Sequence, residues 1–243
     1  MKFGYRFANP ALVPAIVLVI FLSPEVMADG TVVDKVYHPY VQPLEREVEL
    51  RGIVQQDDDD EQDGLQVSRL GIGGSWSEWV SSEVYVIGKS TNEQGFKVNA
   101  YEFETKWQLT EQGEYWADWG LLFELEKERD PDVWEYATRM VILKEWNQWV
   151  TTANLSLIYE WGDDIANEWE TELALQGRYR LMRSFEPALE FYSGQNYKGL
   201  GPVFMGDVRA GQKSRLHWEI GVIFGIDSDS ADRTYRGLLE FEF

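Results

Sequence analysis

Alternation of apolar and polar side chains, repeated along most of the chain, limits what this sequence can become. It is clearest in Thr234–Phe243 (T-Y-R-G-L-L-E-F-E-F). Here Tyr235, Gly237, Leu239, Phe241 and Phe243 share one side, and Arg236, Leu238, Glu240 and Glu242 share the other. A strand sends successive side chains to opposite faces, so one face is greasy and the other mostly charged. The sequence stops on Phe243 with no polar tail. An aromatic face at a free strand end is poorly placed in water. It is well placed in a closed membrane barrel, where the last strand pairs with the first and its aromatic face meets lipid.

From Arg46 onward, twelve such runs alternate with turn signals. Predicted strands cover 47–55, 67–75, 83–89, 97–109, 118–126, 136–146, 152–161, 169–181, 188–193, 203–210, 216–226 and 234–243. An even number suits a single-chain bacterial barrel and puts both ends on one side. Connections after the odd runs read as generally longer, polar and often acidic, and those after the even runs as generally tighter. With the N-terminus in the periplasm, the longer set faces outside. Gly71, Gly73 and Gly74 predict a bend or bulge in the second run, and Asn196–Gly201 reads as an exposed flexible connection.

The run pattern and the terminal Phe243 together resemble the class of Gram-negative outer-membrane β-barrels, whose chains typically finish on a strand with a terminal Phe. The resemblance implies export, insertion by the barrel-assembly machinery with Phe243 as the assembly signal, and residence in outer-membrane lipid. It implies an architecture and not an activity. The expected fold is all-β: an antiparallel transmembrane barrel of about twelve strands over residues 46–243.

Residues 1–28 read as a cleaved signal peptide. Lys2 and Arg6 supply the basic start, Ala11–Leu22 the apolar stretch, and Val26-Met27-Ala28 the small-residue cleavage pattern. The apolar stretch is shorter than the ~20 residues of a spanning helix. Residues 29–45 read as an extended N-terminal segment interrupted by Pro39 and Pro43. Two placements are open to it. It hangs in the periplasm as a tether, where Val36–Tyr40 would meet a periplasmic partner, or it folds back as a plug.

Parity assigns the faces. Trp119, Leu121, Phe123, Leu155, Leu157, Leu173, Trp218 and Ile220 fall on the lipid side. The candidate lumen lining is Glu102, Glu104, Lys106, Glu124, Glu126, Arg139, Glu170, Glu172, Arg178, Arg180, Asp207, Arg209, His217 and Glu219. Both signs are present, which allows a salt-bridged, filled interior as well as an open, acid-lined pore. A net charge of −20 argues against nucleic acid, which needs a basic surface. The absence of cysteine excludes disulfides and thiolate metal sites. Eleven Trp and twelve Tyr fit the two interfaces of a membrane barrel.

Other motifs carry little. His217, inward beside Glu219, has the form of a base oriented by a carboxylate, and reads better as a hydrogen-bonded lumen residue. His38 and His217 have no metal-ligand spacing. Gly88-Lys89-Ser90-Thr91 imitates the end of a phosphate loop but lacks the upstream Gly, since residue 83 is Glu. The acidic stretches Asp57–Asp63 and Asp227–Asp232 read as solvated loops without the calcium-loop pattern. No catalytic, cofactor-binding or metal-binding residue is assigned, and no cofactor is expected. The expected function is a passive narrow channel for small solutes or ions with a net acidic lumen. The alternatives are a closed structural or partner-binding barrel and, last, an outer-membrane enzyme.

Overall fold

The computed structural model describes residues 33–57, 64–129, 132–163 and 165–243. The signal-peptide reading of residues 1–28 lies outside these, as does most of the acidic stretch 57–63.

Twelve antiparallel strands close on themselves: β1 (Arg46–Gln56), β2 (Gln66–Ser75), β3 (Val80–Ser90), β4 (Lys97–Gln108), β5 (Asp118–Glu128), β6 (Val133–Trp146), β7 (Trp149–Gly162), β8 (Glu168–Tyr179), β9 (Glu186–Ser193), β10 (Lys198–Arg209), β11 (Arg215–Gly225) and β12 (Arg233–Glu242). Each strand pairs with its neighbours in sequence, and β1 pairs with β12. That seam runs from Glu47↔Glu242 to Gln56↔Arg233. It is tied off where the Phe243 N–H donates to the Arg46 carbonyl at 2.9 Å. Closure satisfies both edges, which is the condition for strands to cross hydrocarbon. The rim holding Arg46 and Phe243 is called the lower rim below, and the opposite one the upper rim.

The outer face is apolar at mid-height and aromatic at both rims. Toward the upper rim Trp134 stacks on Trp161 at 6.3 Å and Tyr159 meets Trp169 at 4.7 Å. Toward the lower rim Trp149 meets Tyr179 at 5.0 Å and Phe185 stacks on Phe204 at 5.5 Å. Phe241 and Phe243 are exposed on this outer surface. Rings with an apolar body and a polar edge favour the two interfaces of a bilayer.

Three local expectations change. The glycines of β2 mark no bulge: its ladder to β3 is regular from Gln66 to Ser75. They make room instead, because a Cβ on Gly71 would lie 2.3 Å from the Tyr85 ring and one on Gly73 would lie 2.2 Å from Glu83. The register shift sits at Ile87/Gly88, between β3 and β4. The Gly-rich stretch 198–201 is not a loop but the start of β10. The loop sorting holds only in part, since connection 109–117, after an even strand, is among the longest.

Candidate functional site

Residues 33–41 run inside the barrel. Pro39 has no N–H and cannot join a ladder, so the wall holds this segment mainly with side chains. Asn154 of β7 does so most fully: its Oδ1 accepts the Tyr37 N–H at 2.7 Å and its Nδ2 donates to the Tyr37 carbonyl at 2.9 Å. Gln108 of β4 accepts the Val41 N–H at 2.8 Å, and the Tyr192 hydroxyl of β9 donates to the Asp34 carbonyl at 2.8 Å. Gly120 of β5 faces Pro39, where a Cβ would come within 2.9 Å of the ring.

The segment's own side chains are matched in turn. Arg51 donates to both Asp34 oxygens at 2.6 and 2.7 Å. Lys35 donates to Glu49 at 2.6 Å and lies 4.8 Å from the Tyr37 ring centroid. The Tyr37 hydroxyl donates to Glu104 at 2.6 Å, while the Arg139 guanidinium lies over its ring at 4.7 Å. Tyr40 donates to Asp118 at 2.7 Å. Val33 and Val36 enter an apolar patch made by Tyr192, Tyr197, Val203, Met205 and Ile223. The segment therefore descends from the upper half to the lower rim. It leaves through the turn Gln42–Glu45, whose ends are joined by a 3.3 Å backbone bond. Pro43 and Leu44 (φ 65°) occupy the central positions of a type II turn.

Around the segment the wall is ionic. Arg69 pairs with Glu102 and approaches Glu126 at 3.8 Å. Arg139 bonds Glu124 at 2.8 Å and approaches Glu172 at 3.8 Å. Arg236 bonds Glu190 and Glu219, both at 2.7 Å. Nearer the lower rim, Arg180 pairs with Glu145 at 2.6 Å and Arg178 approaches Glu186 at 3.4 Å. A cavity of about 290 Å³ remains there, lined among others by His38, Lys106, Arg178, Arg183 and Glu240.

The structure thus places Glu102, Glu104, Glu124, Glu126, Arg139, Glu172, Arg178, Arg180 and Glu219 in ion pairs or hydrogen bonds within the lumen, and Lys106 on its cavity. Glu170 stands apart, grouped near the upper rim with Glu160 and Glu168 within 4.8 Å of one another. Arg209, the last residue of β10, is exposed at the lower rim. His217 bonds Asp207 through Nδ1 at 2.9 Å and Glu219 through Nε2 at 3.0 Å. With a carboxylate on each nitrogen it has no free nitrogen to take a substrate proton.

Sequence reasoning assigned no role to Asn154, Tyr192 or Gln108, or to the segment residues Asp34 and Lys35, and it gave Tyr37 and Tyr40 only a contact with a periplasmic partner. Parity alone sets Asn154 inward among the outward Leu155 and Leu157, and that is the one sequence signal it offers. Asp34-Lys35, a charged pair just ahead of the prolines, was visible only as composition.

Neither family models nor curated proteins match this chain. Solved structures do. An outer-membrane channel from Pseudomonas putida F1 superposes with a TM-score of 0.58 at 12% identity, covering 86% of this chain and 98% of that one. The KdgM porin, solved in complex with disordered oligogalacturonate, gives 0.52 at 10% identity over 81% of this chain and 98% of its own. The NanC porin gives 0.52 at 11% identity with the same coverage. At such identities the likeness is one of fold: this chain has the closed barrel found in outer-membrane porins and channels.

Proposed function

We propose that the protein is a passive outer-membrane channel for small polar solutes, stoppered in this conformation by residues 33–41. The observation that carries the reading is what fills the lumen. Here a separate segment crosses it, and the wall behind is charged. The fold shared with channels supports the same conclusion. Export would follow cleavage of residues 1–28, and the barrel-assembly machinery would read the strand ending at Phe243. The lower rim would face the periplasm.

Glu49, Glu102, Glu104, Glu124, Glu126, Glu172 and Glu219 outnumber Arg51, Arg69, Arg139 and Arg236 along the ionic wall. A charged, low-dielectric wall concentrates counter-ions, and carboxylates favour cations. Reversal potentials of the refolded mature chain in asymmetric KCl test this. Potassium preference is expected, and a stable channel preferring chloride overturns it. The closed, structural reading draws on the many fully buried inward side chains. It takes over if weakening the segment's ties produces no conductance in a folded barrel.

A further inference from the structure

We infer that the lumen is a binding site for an extended peptide, which residues 33–41 occupy as an internal ligand. The inference rests on the reading of the lumen as a solute path, and it names a solute class: short oligopeptides in extended conformation.

The recognition is of two kinds, and both are built into the wall. The first is sequence-independent. Asn154 meets the N–H and the C=O of a single residue, as a neighbouring strand would, and Gln108 and Tyr192 take one further N–H and one further C=O. Asn154 is 1% exposed, so its amide is committed to this contact. The second kind reads side chains. Arg51 takes a carboxylate and Glu49, its neighbour on the same face of β1, takes an ammonium. Glu104 and Asp118 accept from phenol hydroxyls, and Tyr192, Val203, Met205 and Ile223 hold a small aliphatic group. Gly120 leaves space for a proline ring. Charged, aromatic and aliphatic positions in this order match a peptide of the sequence of residues 33–41.

A tethered segment competes at an effective concentration in the millimolar range, so a free peptide is best tested on a full-length chain with loosened ties, Asp34→Ala with Tyr37→Ala. The probes are the synthetic nonapeptide VDKVYHPYV and a scrambled peptide of the same composition. Two readouts are taken in parallel: block of single-channel current, and fluorescence anisotropy of the labelled peptide on detergent-solubilised protein. The native-order peptide should bind and block at least tenfold more tightly than the scrambled one, and Asn154→Leu in the same background should remove at least tenfold of that affinity. Equal binding of the two peptides, or binding of neither by a chain that conducts, overturns the peptide site and leaves the channel reading standing. Selective binding to a folded but electrically silent chain upholds the site and overturns the channel. If the double variant does not fold, Lys35→Ala alone serves with the same readouts.

Discussion

Replacing Asn154 with leucine isolates the tie between wall and plug. The two side chains share the same branching and number of heavy atoms, so the wall keeps its shape closely. Two buried hydrogen bonds disappear, at 2.7 and 2.9 Å, and Leu offers nothing to the N–H and C=O of Tyr37, a residue only 5% exposed. A buried polar group left without a partner costs about 1–3 kcal/mol. Two of them raise the plugged state by roughly 2–6 kcal/mol, and at 1.4 kcal/mol per factor of ten the lower figure alone shifts the unplugged-to-plugged ratio about thirtyfold. The unplugged state hydrates both groups and carries no such cost. Single-channel recording should therefore show open probability rising at least about thirtyfold from its starting value or to saturation. Amide exchange at Tyr37 should accelerate in parallel, while heat-modifiable migration stays that of a folded barrel. A change below about threefold in both readouts would refute the claim that Asn154 holds the segment in place.

Three further outcomes follow from the wall. Gly71→Ala forces a Cβ against the Tyr85 ring, an overpacking worth about 1–3 kcal/mol; thermal stability should fall, and an unchanged midpoint would mean that Tyr85 has an alternative place. Arg236→Met strands Glu190, which is 0% exposed, and should cost about 3–5 kcal/mol. Adding Glu190→Gln should recover much of that loss, and additive losses in unfolding experiments would contradict the pairing. Deleting Phe243 should slow insertion and increase periplasmic degradation, read as reduced outer-membrane protein by pulse-chase; undiminished levels under strong expression would remove Phe243 from assembly.

The wall was legible in the sequence because its physics is local. One face meets lipid and the other does not, so each strand announces itself by alternation, and the terminal run at Thr234–Phe243 did so unaided. The start of β10 escaped because Gly199 and Gly201 resemble turn residues. Their actual reason is crowding: a Cβ on Gly201 would strike the Val222 carbonyl, a neighbour that only the folded sheet supplies. Gly71 misled in the same way, since the ring it accommodates belongs to the next strand. The site was legible in outline only. Parity turned Glu104 and Arg139 inward, but nothing local says that Tyr37 reaches Asn154, 117 residues further along the chain. That contact depends on closure of the whole cylinder.

Closure also decides where the cylinder is weakest. Unzipping any ladder exposes two rows of backbone donors and acceptors to hydrocarbon, at several kcal/mol per unsatisfied group. The penalty therefore scales with ladder length. The seam between β1 and β12 joins distant parts of the chain, yet it holds ten residue pairs. The junction of β8 and β9 holds six, Leu173↔Ser193 to Arg178↔Ala188, against fourteen between β6 and β7. Under lateral tension or heat the wall should part along β8 and β9, at the height of Gln176 and Glu190, rather than along the line where the chain's two ends meet.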